Sequence, residues 1–400
     1  MLSIEIFREE IRSWLEANAP RSLRGWPVGF LQGIWGGRRA TFETPDHERW
    51  LKMMAERGFT APTWPTAYGG AGLSGRENAV LQEELRRLEL PPPLIGFGLV
   101  MIGPTLLQFG TEEQKLEHLP KIVRGEIRWC QGYSEPGAGS DLASLKMSAL
   151  RDGDRFILNG QKVWTSYAEK SDWIFCLVRT STGVKQAGIT FILVDMETPG
   201  ITTRPIRLIS GASPFCEVFF TDVVADARQV IGGVDGGWTV AKALLGHERT
   251  MVGEVFAASV GGGEAELVEL GRRHLGVDAD GRLADALLRD RITRAAMDEE
   301  CFLLTVKRMK AMMGAAKKAG MKVEPGPESS ILKLFGTELN QRRRQLAVEI
   351  LGEDGLGWSG LDDGALAATR EWLRSRGNTI EGGTSEVQLD IIAKHVLGLP

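Results

Sequence analysis

The sequence predicts an α+β protein with a helical N-terminal domain over residues 1–127, a middle antiparallel β domain over 128–235 and a C-terminal four-helix bundle over 236–400. Three observations predict it. Apolar residues recur at helical spacing from Ile4 to Leu15 and from Val80 to Leu88, and again in long stretches after Gly237. Between about Trp129 and Gly233 the pattern changes to short β-branched and aromatic runs. The helical and β zones are segregated, whereas a doubly wound nucleotide fold alternates strand with helix. A chain of 400 residues is also too long for one ordinary core.

In the first zone, the Trp- and Gly-rich stretch from Arg24 to Gly37 reads as a loop. Leu90 to Thr111 contains no charged residue, yet its prolines and glycines would leave backbone groups unsatisfied in lipid, so it reads as a buried helix wall beside a pocket. The β runs are Arg155–Leu158, Trp173–Val178, Ile189–Val194 and Glu217–Phe220, with Asp152-Gly153-Asp154 and Asn159-Gly160 as turn signals. After Gly237 a loop around Lys322 to Pro327 breaks the helical pattern. Gly261-Gly262-Gly263 sits within a helical stretch as a packing feature or local break, and no G-x-G-x-x-G follows a strand.

A net charge of -4 and a pI of about 5.9 give no case for nucleic acid as a partner. The opening MLSIEIFREE is acidic where a secretory signal is basic, so a cytoplasmic location and no membrane span are expected. Cys130, Cys176, Cys216 and Cys301 show neither metal nor disulfide spacing and read as buried thiols; no metal is expected. Lys307, Arg308, Lys310, Lys317 and Lys318 read as a solvated helix face, and His247 as a surface or packing residue.

The most specific segment is Tyr133-Ser134-Glu135-Pro136-Gly137-Ala138-Gly139-Ser140-Asp141. Its small residues let backbone N–H groups approach a ligand, and its hydroxyls can bond a ring edge or a phosphate. The same composition serves a glycine-rich turn with side-chain capping. A second glycine-rich turn, Gly382-Gly383-Thr384-Ser385-Glu386, precedes Val387, Ile391, Ile392 and Val396, which share a helical face. Ser385 to Gln388 fits a capping box, and a helix N-terminus there suits an anion or a polarised carbonyl.

These segments resemble the acyl-CoA dehydrogenase family. Gly110-Thr111-Glu112-Glu113-Gln114-Lys115 with Leu119-Pro120, Gly160-Gln161-Lys162-Val163-Trp164-Thr165-Ser166 and Val396-Leu397-Gly398-Leu399-Pro400 extend the resemblance in the family's order over nearly the whole chain. In wording it is most similar to the large-subunit type of pimeloyl-CoA dehydrogenase. The resemblance implies FAD between the β domain and the C-terminal helices. Tyr133 and Ser134 would line the flavin's pyrimidine edge through backbone atoms, Trp164 would shield the ring, and Ser166 would bond N5. Ser140 would meet the pantetheine or pyrophosphate of acyl-CoA. Thr384, Ser385 and Glu386 would contact flavin, and backbone N–H at Gly382 and Gly383 would hold the thioester oxygen. For Trp164 a plain core role is the competing reading.

The best-known members carry their base, a Glu, in the C-terminal turn, where this chain has Gly382. Another branch places it on the first C-terminal helix, and Glu248 in Leu245-Gly246-His247-Glu248-Arg249-Thr250 matches that pattern, with Arg249 beside the substrate. Spacing supports the choice independently. Leu244, Glu248, Met251, Val252 and Val255 fall on one stripe, and a carboxylate there is either paired or functional. Glu381 is the alternative base. The family's Arg-x-x-Phe-Gly survives only as Arg272-Arg273-His274-Leu275-Gly276, and its Gln-x-x-Gly-Gly only as Glu349-Ile350-Leu351-Gly352-Glu353, which puts inter-subunit FAD contacts in question.

The resemblance therefore implies α,β-dehydrogenation of an acyl-CoA thioester. A Glu takes the α-proton, flavin N5 takes the β-hydride, and electrons leave to an electron-transferring flavoprotein. A homotetramer or heterotetramer is expected. Two other classes remain open: a non-catalytic or half-site subunit of a heteromeric dehydrogenase, and an acyl-CoA oxidase, whose usual extra C-terminal domain does not fit within this length.

Overall fold

Helices α1 (Ile4–Asn18), α2 (Pro45–Glu56), α3 (Gly75–Arg87), α4 (Gly103–Phe109) and α5 (Glu112–Val123) form where the sequence carries helical spacing and start signals. Pro45 occupies the first turn of α2. Both α3 and α5 open with reciprocal capping boxes, Ser74 with Glu77 and Thr111 with Gln114. The computed structural model describes residues 4–26, 33–246, 263–318, 326–359 and 363–400. It divides into two compact units, Met1–Ile206 with Pro214–Leu244, and Arg207–Ser213 with Leu245–Pro400.

In the first unit, α1, α2 and α3 bury Ile11, Leu15, Trp50, Leu51, Met54, Leu81 and Leu85 in one cluster. The uncharged segment becomes a π-helical turn, Gly98–Ile102, running into α4, with Leu90, Leu94, Met101, Ile102 and Leu106 buried. Among the described residues no helix is long and apolar enough to cross a membrane.

The strands are β1 (Trp129–Gly132), β2 (Ser148–Asp152), β3 (Arg155–Ser166), β4 (Trp173–Arg179), β5 (Ile189–Asp195), β6 (Ile201–Ile206), β7 (Phe215–Asp226) and β8 (Val230–Ile231). Their order is β6-β7-β3-β2-β4-β5-β8, with β1 also beside β4. The sheet is mainly antiparallel, but β1 and β2 run parallel to β4. Gly153, at φ +61°, turns β2 into β3 as its Asp-Gly-Asp context predicts. Asn159-Gly160 does not turn. It lies within β3 at a register shift, where Gly160 takes φ +149° and an added Cβ would stand 2.9 Å from Met147.

Helix α5 is tied to the sheet's end. Gln114 Nε2 donates to the carbonyls of Arg228 and Val230 at 2.7 and 2.9 Å. His118 Nε2 meets Gln229 Oε1 at 2.9 Å, with its ring edge-on to Trp129 and Trp173. Cys130, Cys176 and Cys216 are buried as expected. Helix α6, over 237–246, closes this unit with Val240, Ala241 and Leu244 buried.

In the second unit, α9 (Ser329–Leu351) packs against α7 (Gly263–Leu275), α8 (Ala286–Lys318) and α10 (Asp363–Ser375). Leu267, Ile292, Leu346 and Ile350 form one core cluster, and Phe302, Val306, Leu332 and Leu339 another. Cys301 on α8 is exposed, contrary to the sequence reading, because the inward positions of that turn are Phe302 and Val306. Lys307, Arg308 and Lys310 are exposed as expected; the side chains of Lys317 and Lys318 lie outside the described residues, as do Gly261 and Gly262. Helix α11 (Ser385–Ile391) starts one residue earlier than its capping-box reading. Thr384 is the cap, accepting from Val387 N–H, so position N3 is Val387 and the reciprocal partner is absent.

Buried Glu84 holds α1 to α3. It accepts from Arg12 at 2.8 and 3.1 Å, from Arg87 at 2.6 Å and from Arg8 at 3.3 Å. Those guanidinium groups, Arg12 foremost, hold its carboxyl down at about 2. Because the folded value lies below the ordinary one, the stabilisation is complete above the usual carboxylate range and is lost as pH falls toward 2. Glu84→Gln is expected to cost about 2 kcal/mol at neutral pH. Chemical denaturation as a function of pH should show parent and variant converging on acidification.

Candidate active site

The loop Tyr133–Asp141 leaves the end of β1, and its position is set by a buried ion pair. Lys162, fully buried in β3, extends Nζ to Glu135 Oε1 at 2.8 Å and donates to the Tyr133 carbonyl at 3.1 Å. Glu135 in turn accepts the N–H groups of Lys146 and Met147 at 2.6 and 2.9 Å. Burial pulls the Lys162 ammonium below its usual range, and the Glu135 carboxylate opposes that shift. Val163 N–H adds a bond to the Ser134 carbonyl at 2.9 Å.

This scaffold decides what each motif residue presents. The Tyr133 ring is buried edge-on to Phe175 and Phe191, which leaves its side chain to the core. Ser134 is half-buried and Ser140 exposed. An added Cβ on Gly137 or Gly139 would meet nothing within 4 Å. The space over that backbone is open, and a cleft of about 210 Å³ adjoins it, lined by Pro136, Gly137, Ser144, Lys146 and Gly160 among others.

Trp164 is not a core residue. It sits at φ +61° beside a second register shift in β3, with its indole 55% exposed and edge-on to Phe215 at 6.0 Å. The shift rotates Trp164 outward while Thr165 stays buried, and half-buried Ser166 ends the strand opposite Phe215.

In the second unit the turn before α11 is held by another buried lysine. Lys333 of α9 donates to the carbonyls of Asn378 and Gly383 at 3.1 and 2.6 Å. Gln388 Nε2 bonds the carbonyls of Gly382 and Gly383 at 3.2 and 3.4 Å. Gly382 and Gly383 adopt φ +64° and +93°, which favours glycine. With the carbonyls drawn inward, exposed Gly382 offers its other face outward. Thr384 caps α11, and Ser385 Oγ reaches Glu338 Oε1 at 3.4 Å. Glu386, exposed in the first turn, is held below the usual carboxylate range, first by its own backbone N–H and then by the Thr384 hydroxyl.

Glu381 Oε2 accepts from Arg374 Nη2 at 2.8 Å, and Oε1 from Asn378 Nδ2 at 2.6 Å. Both oxygens are engaged in bracing the turn. Glu248 and Arg249, with His247, lie outside the described residues. Leu244, one turn before Glu248, is fully buried on the stripe that predicted it. Arg272 is exposed in the last turn of α7, which is followed by Gly276 at φ +73°. Glu349 pairs with Arg291 at 2.5 Å.

The sequence reading missed both lysines. Lys333, alone among Ile331, Leu332, Leu334 and Phe335, carried a visible signal of a buried cation; Lys162, beside Gln161 in a polar stretch, carried none.

Comparison with known proteins matches three family domains: acyl-CoA dehydrogenase N-terminal domain at residues 5–126, middle domain at 130–223 and C-terminal domain at 235–397. The acyl-CoA dehydrogenase IpdE1 of Mycobacterium tuberculosis is 38% identical over 406 residues, spanning 100% of this chain and 99% of that protein. FadE26 of the same organism, also an acyl-CoA dehydrogenase, is 33% identical over 99% of this chain and 97% of its own. Among solved structures, the Tcur3481-Tcur3483 steroid ACAD superposes with a TM-score of 0.75 at 30% identity, covering 100% of this chain and 98% of that one. The ChsE4-ChsE5 complex of M. tuberculosis gives 0.73 at 29%, with coverage of 100% and 98%.

The buried pair makes a direct prediction. Lys162→Met leaves Glu135 without its cation and is expected to cost about 3 kcal/mol or more, whereas Lys162→Met with Glu135→Gln together should recover part of that loss. Urea unfolding of the three proteins measures the coupling, and additive losses would show that the pair does not act as a unit.

Proposed function

The chain belongs to the acyl-CoA dehydrogenase family, and from that premise we propose that it converts an acyl-CoA to the trans-2-enoyl-CoA with Glu248 as the base. It is an oxidoreductase. The observation that carries the choice of base is the engagement of Glu381: a carboxylate held by Arg374 and Asn378 is braced against its own turn, which leaves proton abstraction to Glu248. An α-proton leaves a thioester only if the carbonyl oxygen is polarised as the carbanion forms. Backbone N–H at Gly383, with that of Gly382 beside it, is suited to that task, because Gln388 holds the Gly382 carbonyl, which shares a peptide group with the Gly383 N–H, in the opposite direction. Arg249 would contact the substrate.

The residues present fit FAD. The open backbone over Gly137 and Gly139 suits a closely packed dinucleotide, as does the outward, left-handed Trp164 that nothing in the core requires. When bound, FAD would supply the hydride acceptor. Tyr133 and Ser134 would serve it through backbone, Trp164 by covering the ring, Ser166 as a donor, and Thr384, Ser385 and Glu386 from the second glycine turn; exposed Arg272 would serve a neighbouring subunit's FAD. Ser140 would hold the acyl-CoA, and an electron-transferring flavoprotein would accept the electrons.

The likeness to a steroid ACAD supports a ring-bearing acyl group as the substrate class. A half-site role within a heteromer is favoured by one observation, the two-chain naming of the Tcur3481-Tcur3483 and ChsE4-ChsE5 assemblies. Exposed Met297, Leu304 and Met312 along α8 are apolar positions suited to cover by a second chain.

The purified protein is expected to be yellow, with about one FAD per chain. A folded, colourless protein that cannot be reconstituted would turn the reading to the partner-subunit alternative. Light scattering is expected to give an assembly of about four chains, and a monomer with full activity would exclude it.

Glu248→Gln should lower turnover at least about a hundredfold with flavin content retained, while Glu381→Gln should stay within about tenfold. Stopped-flow bleaching of the flavin by acyl-CoA decides between them. Normal bleaching in Glu248→Gln and none in Glu381→Gln would make Glu381 the base.

A further inference from the structure

Half-buried Arg128 stands apart from Arg12, Arg38 and Arg87 of the first unit. Its guanidinium carbon lies 4.2 Å from the centroid of the Trp35 ring and 5.2 Å from that of Tyr167. Among the described residues its side chain makes no ion pair and no hydrogen bond, and Nε is buried without a partner. Neither carboxylate in its surroundings closes an ion pair on the guanidinium, although Asp172 Oδ1 is itself buried without a partner. Asp172 Oδ2 accepts the backbone N–H groups of Arg38 and Arg128 at 2.9 and 2.7 Å, and Glu169 Oε2 accepts the thiol of Cys216 at 2.7 Å. Arg12, Arg38 and Arg87, by contrast, each close onto a carboxylate. Leaving the buried Nε donor unmade is costly, so an acceptor for it is the missing part.

The space beside Arg128 gives the acceptor's size. A cavity of about 10 Å³ is lined by Arg128 with Trp35, Leu94, Phe97, Ile122 and Ile127. That is room for about one oxygen atom and not for a chain of carbons. Part of its wall, from Leu94 to Leu99, belongs to the stretch from Leu90 to Thr111 that carries no charge, and Arg128 is the one charged residue in the lining. Apolar walls with one oriented donor are how pockets fix the orientation of a mostly hydrocarbon ligand.

We propose that Arg128 is a specificity residue that binds a carboxylate on the acyl group of the substrate, one carboxylate oxygen entering the cavity against the guanidinium while the uncharged segment flanks the carbon skeleton. The inference rests on the dehydrogenase reading for its substrate class. A bidentate-capable guanidinium stacked on aromatic rings is preorganised for a carboxylate, which a lysine at the same point is not.

The test compares octanoyl-CoA with its ω-carboxy counterpart, using 3-thia analogues that cannot be oxidised for equilibrium dialysis and the oxidisable thioesters for flavin bleaching. The parent is expected to bind the carboxylated analogue at least about tenfold more tightly. Arg128→Met should lose about 10–100-fold on that analogue, with the plain one changed less than about threefold and melting temperature and flavin content kept. Arg128→Lys should fall between parent and Met variant on the carboxylated analogue alone, and it carries the comparison if the Met variant fails to fold. Equal binding of both analogues by the parent, or equal loss on both in the variants, overturns the proposal and leaves Arg128 a packing residue satisfied by water. Preferential binding without bleaching by either thioester would uphold this inference and sink the dehydrogenase reading.

Discussion

The Lys162–Glu135 pair is the interaction on which the rest of the site depends. A lysine in the middle of a strand, with no solvent contact, is an expensive place for charge, and apolar residues of similar volume could fill the same space at comparable stability. Methyl groups could not hold the loop. Lys162 donates to the Tyr133 carbonyl, and Glu135 accepts two N–H groups from Lys146 and Met147, so one ion pair satisfies three backbone groups that leave regular structure together. Without it those groups would need water inside a sheet packed from Cys130 to Ala225. Lys333 works in the same way under the second glycine turn, drawing in the carbonyls of Asn378 and Gly383.

Much of the fold was legible because most strands carry their own signal. β4 and β5 are buried almost throughout and read as continuous apolar runs, and β3 and β7 carry β-branched and aromatic residues. Four strands gave no such signal. β6 is an edge strand, Ile-Thr-Thr-Arg-Pro-Ile, half open to solvent and able to tolerate Pro205 there; β1 and β8 are short, and β2 ends on charge. Asn159-Gly160 was misread because Asn-Gly is a hairpin signal, while the deciding contact, Gly160 against Met147, is tertiary. Thr384 and Ser385 were one residue out for a related reason. Either hydroxyl can cap, and the backbone path through Gly382 and Gly383 selects the first.

The site was legible in its small residues and opaque in its supports. Gly, Ser and Thr in two short runs mark bare backbone suited to a ligand or to a capped turn. The groups that aim that backbone are remote in sequence: Lys162 lies 27 positions from Glu135, and Lys333 lies 50 from Gly383. Arg128 belongs with them. Its sequence neighbours, Ile127 and Trp129, say nothing of Trp35 and Tyr167, and its lack of a partner is a property of the folded chain alone.

The two glycine-rich turns use glycine for different physical reasons, and the difference separates folding from binding. Gly382 and Gly383 sit at positive φ, and a Cβ on Gly383 would fall 2.4 Å from Gln388 Nε2, so a side chain there disturbs the turn itself. Gly137 and Gly139 have neither constraint. Their φ values are ordinary, and the space a Cβ would enter is empty of protein. Nothing in the fold asks for glycine at those two positions, and the bare main chain leaves room for a ligand surface to come within van der Waals distance. An alanine there would therefore leave stability nearly unchanged and act on whatever lies over the loop, which makes this turn, and not the second, the place where binding can be altered without touching the fold.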